Sequence, residues 1–333
     1  MAMRTHPFIE VHVDGEPVSA GFYQRLIEAT VRDATGQDAD SVELTFDDAG
    51  NGIEIPREGA ELSVRFGFRG GGAWVVGLFI VEKSTIEGGT GGEFLKLSGR
   101  GADMRKDLKE PLSEHFDGET LGGIIRTLAD RHGLKAEVSP ELAGLKVPYA
   151  ARVDQSALDF GTRLADRFGA LFSVKGGKML LVKRGSGSVS GQPLPSLTIA
   201  RSDCVSWSFQ VEPRPRFGKA SAKWFDRETG ETKVERVSTG LEGPDKHLRH
   251  ALASKEEAEK AAASEGERLS RGSASGSVKL AGLPEAQAEA NVTLAGFRPE
   301  ANGLWRIATV EHRFGSTFET SIELEAPEGG RRR

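Results

Sequence analysis

The chain has 333 residues, of which 28% are charged and 38% hydrophobic, and its formal net charge is -5; this balance suits a folded soluble protein and argues against a disordered chain or a strongly basic nucleic-acid binder. That length exceeds what one small core usually organises, so two or three domains are expected. The lone Cys204 excludes an internal disulfide and a multi-thiolate metal site, while 42 glycines against two tyrosines point to many tight turns between short strands.

The opening MAMRTHPFIEVHV runs into strand-like sequence without a signal-peptide pattern, and the most apolar run, 73–81, is far shorter than the roughly 20 residues of a membrane span. Folding in the cytoplasm without membrane insertion is the expectation. FIEVHV at 8–13 alternates with period two, and Asp14-Gly15 supplies a hairpin turn into 17–20. SVELTF at 41–46 alternates again and ends in the turn-rich Asp47-Asp48-Ala49-Gly50-Asn51-Gly52. Runs at 62–68, 74–82 and 94–98, separated by glycine clusters at 70–72 and 88–92, complete a first β domain of residues 1–105.

At Thr120 the period changes. Leu121, Ile124, Ile125, Leu128 and Ala129 recur at helical spacing, Thr120 is the predicted N-cap, and His132-Gly133 closes the helix. Ser156, with Asp159 three positions on, opens a second helix whose stripe is Ala157, Phe160, Leu164, Ala165 and Phe168. A hairpin follows across Lys175-Gly176-Gly177-Lys178, so 106–184 is expected to form a small α+β unit. GSGSVSGQPLP at 185–195 has linker composition.

Residues 196–333 are expected to form a second β domain, with strands at 206–211, 219–226, 232–237, 275–280, 288–294, 304–314 and 318–324. One helix interrupts it at about 254–271, with Ser254 as N-cap, Glu257 in the capping-box position, Arg268 and Arg271 in the last turn, and Gly272 beyond. The fold class is α+β, mainly β.

Catalytic, cofactor and metal sites are all expected to be absent. The oxygens of 47–52 lack EF-hand spacing, and the glycine clusters sit between strands and open no helix. The histidines His6, His12, His115, His132, His247, His250 and His312 form no metal motif. Glu311 and His312 fall on opposite faces of a strand, so they cannot act together. No GxSxG elbow surrounds a serine, and acidic pairs such as Glu256-Glu257 carry no weight without a cleft.

The ordered set VELTFDDAG (42–50), IPREGAELSVRFGF (55–68), VVGLFIVEK (75–83), LKLSGRGADMRKDLK (95–109), TLGGIIRTLADRHGL (120–134) and FGTRLADRFGALFSVKGGKMLLV (160–182) resembles the late control D family of contractile phages and related injection systems. GLWRIATVEHRFGSTFETSIELE at 303–325 resembles that family's last hairpin, so the likeness spans nearly the whole chain. Asp154-Gln155-Ser156-Ala157 departs from the acidic residue that many members carry before the second helix.

The resemblance implies a structural, non-enzymatic baseplate hub similar to the N-terminal part of VgrG proteins, with two tube-type β-barrel domains and a LysM-like module in the α+β insert. It implies a homotrimer that adapts a sixfold tail tube to a threefold central spike, with the spike, the tail tube or distal tail protein and the tape measure protein as partners. It implies no specific nucleic-acid binding, and a place in the virion tail baseplate. The rival reading is a peptidoglycan-binding module that would use Tyr149, Phe160, Phe168 and Phe172.

Overall fold

The computed structural model describes residues 6–34, 40–101, 106–175, 177–184, 196–210, 217–272 and 274–327. The predicted linker at 185–195 lies outside the described residues.

Alternation builds the first half. β1 (Pro7–Val13) turns at Asp14-Gly15 into the short β2 (Glu16–Pro17), and one helical stretch, α1 (Ala20–Arg25), leads into β3 (Leu26–Ala34). β4 (Ser41–Asp47), β5 (Glu61–Phe68), β6 (Ala73–Gly89) and β7 (Gly92–Gly101) follow, the glycine clusters forming the β5–β6 and β6–β7 hairpins as expected. β6 runs seven residues past the predicted end at Glu82, because β7 pairs with it as far as Gly89 opposite Gly92. Val42, Leu44, Phe46, Leu95 and Leu97 point to one buried face, each fully buried Leu or Phe contributing roughly 1.5–3 kcal/mol.

The middle of the chain is a separate core. A 3-10 turn (Lys106–Lys109) leads to β8 (Leu112–Thr120), α2 (Leu121–Arg131), β9 (Lys135–Val138), α3 (Pro140–Ala143), β10 (Lys146–Gln155), α4 (Ala157–Arg167), β11 (Ala170–Lys175) and β12 (Lys178–Lys183). Both predicted caps form: Thr120 Oγ1 accepts from the Gly123 amide, and Ser156 Oγ accepts from the Asp159 amide while donating to its carboxylate. β8 and β10 make a two-stranded ribbon; β11, β12 and β9 make a three-stranded sheet. Phe116 of the ribbon stacks on Phe160 of α4 at 5.6 Å, within the core that also holds the α2 stripe.

β13 (Leu197–Ala200) and β14 (Cys204–Gln210) open the last part. β15 (Lys219–Asp226), β16 (Glu231–Ser238) and β17 (Asp245–Leu252) form a three-stranded sheet covered on one side by α5 (Lys255–Arg271). Ala258, Ala261 and Ala262 of α5 pack on Ala222 of β15, the small residues allowing close approach. β18 (Ser275–Ala281), β19 (Asn291–Ala295), β20 (Gly303–Phe314) and β21 (Phe318–Glu325) complete the chain. β19 begins three residues after the predicted 288, since Glu289 takes a positive φ and pairs with Arg306 instead of extending the strand.

The expected closed barrels are not found. β20 pairs antiparallel with β3, from Thr309 opposite Ala34 to Phe314 opposite Ala29, so strands from both ends of the sequence join one 13-stranded sheet. A barrel closes by joining the two edges of one sheet, and here the free edge of the first half is occupied by the second half. Among the described residues the path runs from β14 through β20 and β3 to β1 and β2 without meeting itself. The seam is tied by Arg313 to Glu28, by the Ala288 amide donating to Asp33 at 2.8 Å, and by Phe318 of β21 entering the first-half core.

Candidate assembly surface

The groups that sequence singled out for chemistry are occupied by structure. In 47–52 the Asp48 carboxylate accepts the Ile53 amide and the Asp47 carboxylate accepts the Ala49 amide, while the carbonyls of Asp47 and Ala49 accept from the Arg25 guanidinium. The two carboxylates are thus engaged by turn amides and the two carbonyls by a guanidinium. Glu311 is exposed and His312 buried, as strand geometry requires; the ring hydrogen-bonds Thr320 Oγ1 at 3.0 Å, and burial lowers its pKa to about 4.

Glu256 faces solvent, but Glu257 is buried and ion-paired with Arg167 of α4, so this acidic pair is split between two environments. Burial, with Asp203 beside it, raises the Cys204 thiol to about 11, which leaves a poor nucleophile. The Ser221 hydroxyl meets His247 Nδ1 at 2.5 Å across β15 and β17, yet Ser221 is buried and inaccessible to a substrate. No cluster of three or more metal-ligating side chains occurs among the described residues. Of the four aromatics of the glycan reading, Phe160, Phe168 and Phe172 lie in the core and Tyr149 alone is exposed. A sugar platform needs several exposed rings, and that reading gains nothing here.

β19 and β13 branch from β20, and the two ends of the main path through the large sheet differ. At the β1 end the Val11 amide donates to the Tyr23 hydroxyl at 3.1 Å, the Val11 carbonyl accepts from Val18 at 3.2 Å, and β2 pairs with His12 and Val13. That edge is blocked against further strands. At the other end β14 pairs with β18 alone among the described strands, and Val205 through Ser208 are exposed on both faces. Val205 is 63% and Trp207 42% exposed, the indole braced by Phe297 and by the Arg201 guanidinium 5.0 Å above its ring. Sequence reasoning placed a strand here but had no signal that it would be an edge, since edge status follows from which partners the rest of the chain supplies.

The middle unit is fixed to the rest through α4 and α5. Besides the Arg167–Glu257 pair, Ser264 Oγ donates to the Asp166 carbonyl at 2.5 Å. The far end of α5 is anchored by Arg271, 3.7 Å from Glu325, and Arg306 pairs with Glu289 and Glu325. Burial raises the Glu325 carboxyl and lowers Arg271, as expected for charges held away from water.

Among the described residues the polar groups singled out by the sequence are engaged within the fold, and β14 is an outer strand of the large sheet with Val205 and Trp207 exposed. The family model of the phage tail baseplate hub (GPD) matches residues 95–317, and the chain belongs to that family, whose place is the baseplate of a phage-type tail. It is similar to the probable baseplate hub proteins of Escherichia phage 186, 29% identical over 362 residues with 96% of this chain and 92% of that protein covered, and of Escherichia phage P2, 29% identical over 355 residues with 94% and 91% covered. Its fold is similar to a tail protein from Neisseria meningitidis MC58, with TM-score 0.72, 13% identity and 96% of both chains covered. It is also similar to an E. coli component of the type VI secretion system, with TM-score 0.56, 11% identity, and 93% and 76% covered.

Proposed function

We propose that this chain acts as a homotrimeric, non-enzymatic hub that adapts the sixfold tail tube to the threefold central spike. The bare β14 edge, with Val205 and Trp207 in solvent, carries the reading. An exposed, apolar edge promotes uncontrolled pairing unless a partner covers it, and a ring of three copies offers a covering surface with closed symmetry.

Two β units per chain, 1–105 and 196–333, would present six similar units around the ring. The separate cores of the two halves of the large sheet support that division, with the α+β unit 106–184 as a LysM-like insert. In this reading the barrels that a single chain leaves open close between chains. The partners are the central spike on the threefold side, the tail tube or distal tail protein on the sixfold side, and the tape measure protein within the tube.

Replacing Val205 and Trp207 together by lysine tests the reading, since lysine is how natural edges discourage pairing. The variant is expected to remain folded by circular dichroism and to lose trimers in sedimentation velocity. A trimer of undiminished stability would contradict the role given to this edge.

A further inference from the structure

Two further faces are uncovered, and their chemistries are opposite. On the β15–β17 sheet, residues whose side chains turn away from α5 include Lys219, Lys223 and Phe225 of β15 and Arg236 of β16, with exposed Arg249 on β17 alongside. Phe225 is 49% exposed, and Asp245, 3.8 Å from Arg236, offsets one of these cations. The face is basic, with Phe225 at its end beside the β15–β16 turn, on a chain whose formal net charge is -5.

The β8–β10 ribbon turns Phe116 and Ala150 toward the core and Tyr149 and Val153 outward, 52% and 66% exposed. Asp117, opposite Tyr149, and Asp154 are exposed beside them, whereas Glu119, opposite the buried Val147, turns its carboxylate toward the first turn of α2. Glu114 belongs to the other side, paired with Arg152 and Arg131. His115 stacks on Tyr149 at 6.3 Å, bracing the phenol ring. This face is acidic with an aromatic and aliphatic centre.

We infer that the ribbon face of one copy seats on the β15–β17 face of the next. The inference rests on the trimeric reading above and names a second contact within it. Each face lies on the side of its strands turned away from its own helix, α4 for the ribbon and α5 for the sheet, and these helices pack on each other between the two. The faces therefore cannot satisfy one another inside a single chain. Between copies the contact is head to tail, the arrangement that closes a threefold ring. The ribbon carboxylates meet Lys219, Lys223 and Arg249, the Tyr149 ring lies within reach of a cation for a cation–π contact, and Val153 and Phe225 supply an apolar contact at one end. A nucleic acid suits the basic face less well, because the Asp245 carboxylate stands within it beside Arg236.

The test is sedimentation velocity of the full chain, with the separately purified spike protein added if the chain alone is monomeric. The variants are Lys223→Glu with Arg249→Glu, Asp117→Lys with Asp154→Lys, and the four changes combined; all sites are exposed, and Lys223→Gln with Arg249→Gln replaces any reversal that fails to fold. Each reversal is expected to weaken the trimer by at least about tenfold and the combination to restore it, since like charges brought together repel and the swap re-pairs them. Trimers of equal stability in wild type and both reversals would overturn this contact while leaving the hub reading intact. Monomers in wild type with and without spike would overturn both.

Discussion

His312 illustrates how a residue with familiar catalytic chemistry becomes structural. Its ring clusters with those of Phe66 and Phe318 at the seam where β20 meets β3, with Asp33 and Glu285 near enough to act on its charge. Burial holds it neutral, with a folded pKa of about 4 against an ordinary 6.5. The unfolded chain therefore binds more protons at this group between these values, so the stability that neutral His312 contributes is lost as pH drops from 6.5 to about 4, and this group takes away no more below that. The full effect is on the order of 3 kcal/mol. Calorimetry of His312→Gln is expected to show a smaller drop in Tm between pH 7.5 and 4.5 than wild type; equal drops would place the acid sensitivity elsewhere.

Glu257 is the counterpart among acids. Its carboxylate accepts the Ala253 amide at 2.9 Å and pairs with Arg167 across α4 and α5. The Ser254 cap on the Glu257 amide was legible in the sequence, although the carboxylate returns to the Ala253 amide and not to that of Ser254; the ion pair to a helix 90 residues earlier was not, because capping is local and partner choice across units is not. Glu257→Ala leaves Arg167 without its partner and is expected to destabilise by roughly 3 kcal/mol, read as a lower Tm and faster proteolysis between the middle unit and α5. An unchanged Tm would show that the pair contributes nothing net.

Among elements, the strongly periodic ones were legible. α2, α4 and α5 follow their apolar stripes and capping residues, and β1, β4, β5, β20 and β21 follow their alternation. β3 was missed, although it joins the two halves of the large sheet. Its inward residues are the small Ala29, Val31 and Ala34, whose alternation with Thr30 and Arg32 gives little contrast. β17 was missed for a different reason: DKHLRHAL has little strand propensity, and its parallel pairing with β15 supplies the stability. α4 carries one constraint that periodicity does not reveal. A Cβ on Gly161 would stand 2.6 Å from the Phe172 ring, so Gly161→Ala is expected to destabilise by about 1–3 kcal/mol through overpacking, despite alanine's better helix propensity. Denaturant unfolding followed by circular dichroism checks the sign, and a stabilised variant would mean that the β11 ring moves aside freely.

For the whole molecule, the mainly β class and membership of the baseplate hub family agree with what the sequence implied. The candidate site was less legible. The sequence pointed to catalytic, metal and phosphate motifs only to set them aside, whereas the features that set an assembly surface, a bare β14 edge beside a guarded β1 edge, exist only after the strands have chosen partners. The most direct measurement is the solution mass by light scattering of the chain alone and then mixed with a candidate central spike protein from the same tail. The account predicts the mass of three chains in at least one of the two samples; a mass of one chain in both, over the micromolar range, would contradict it.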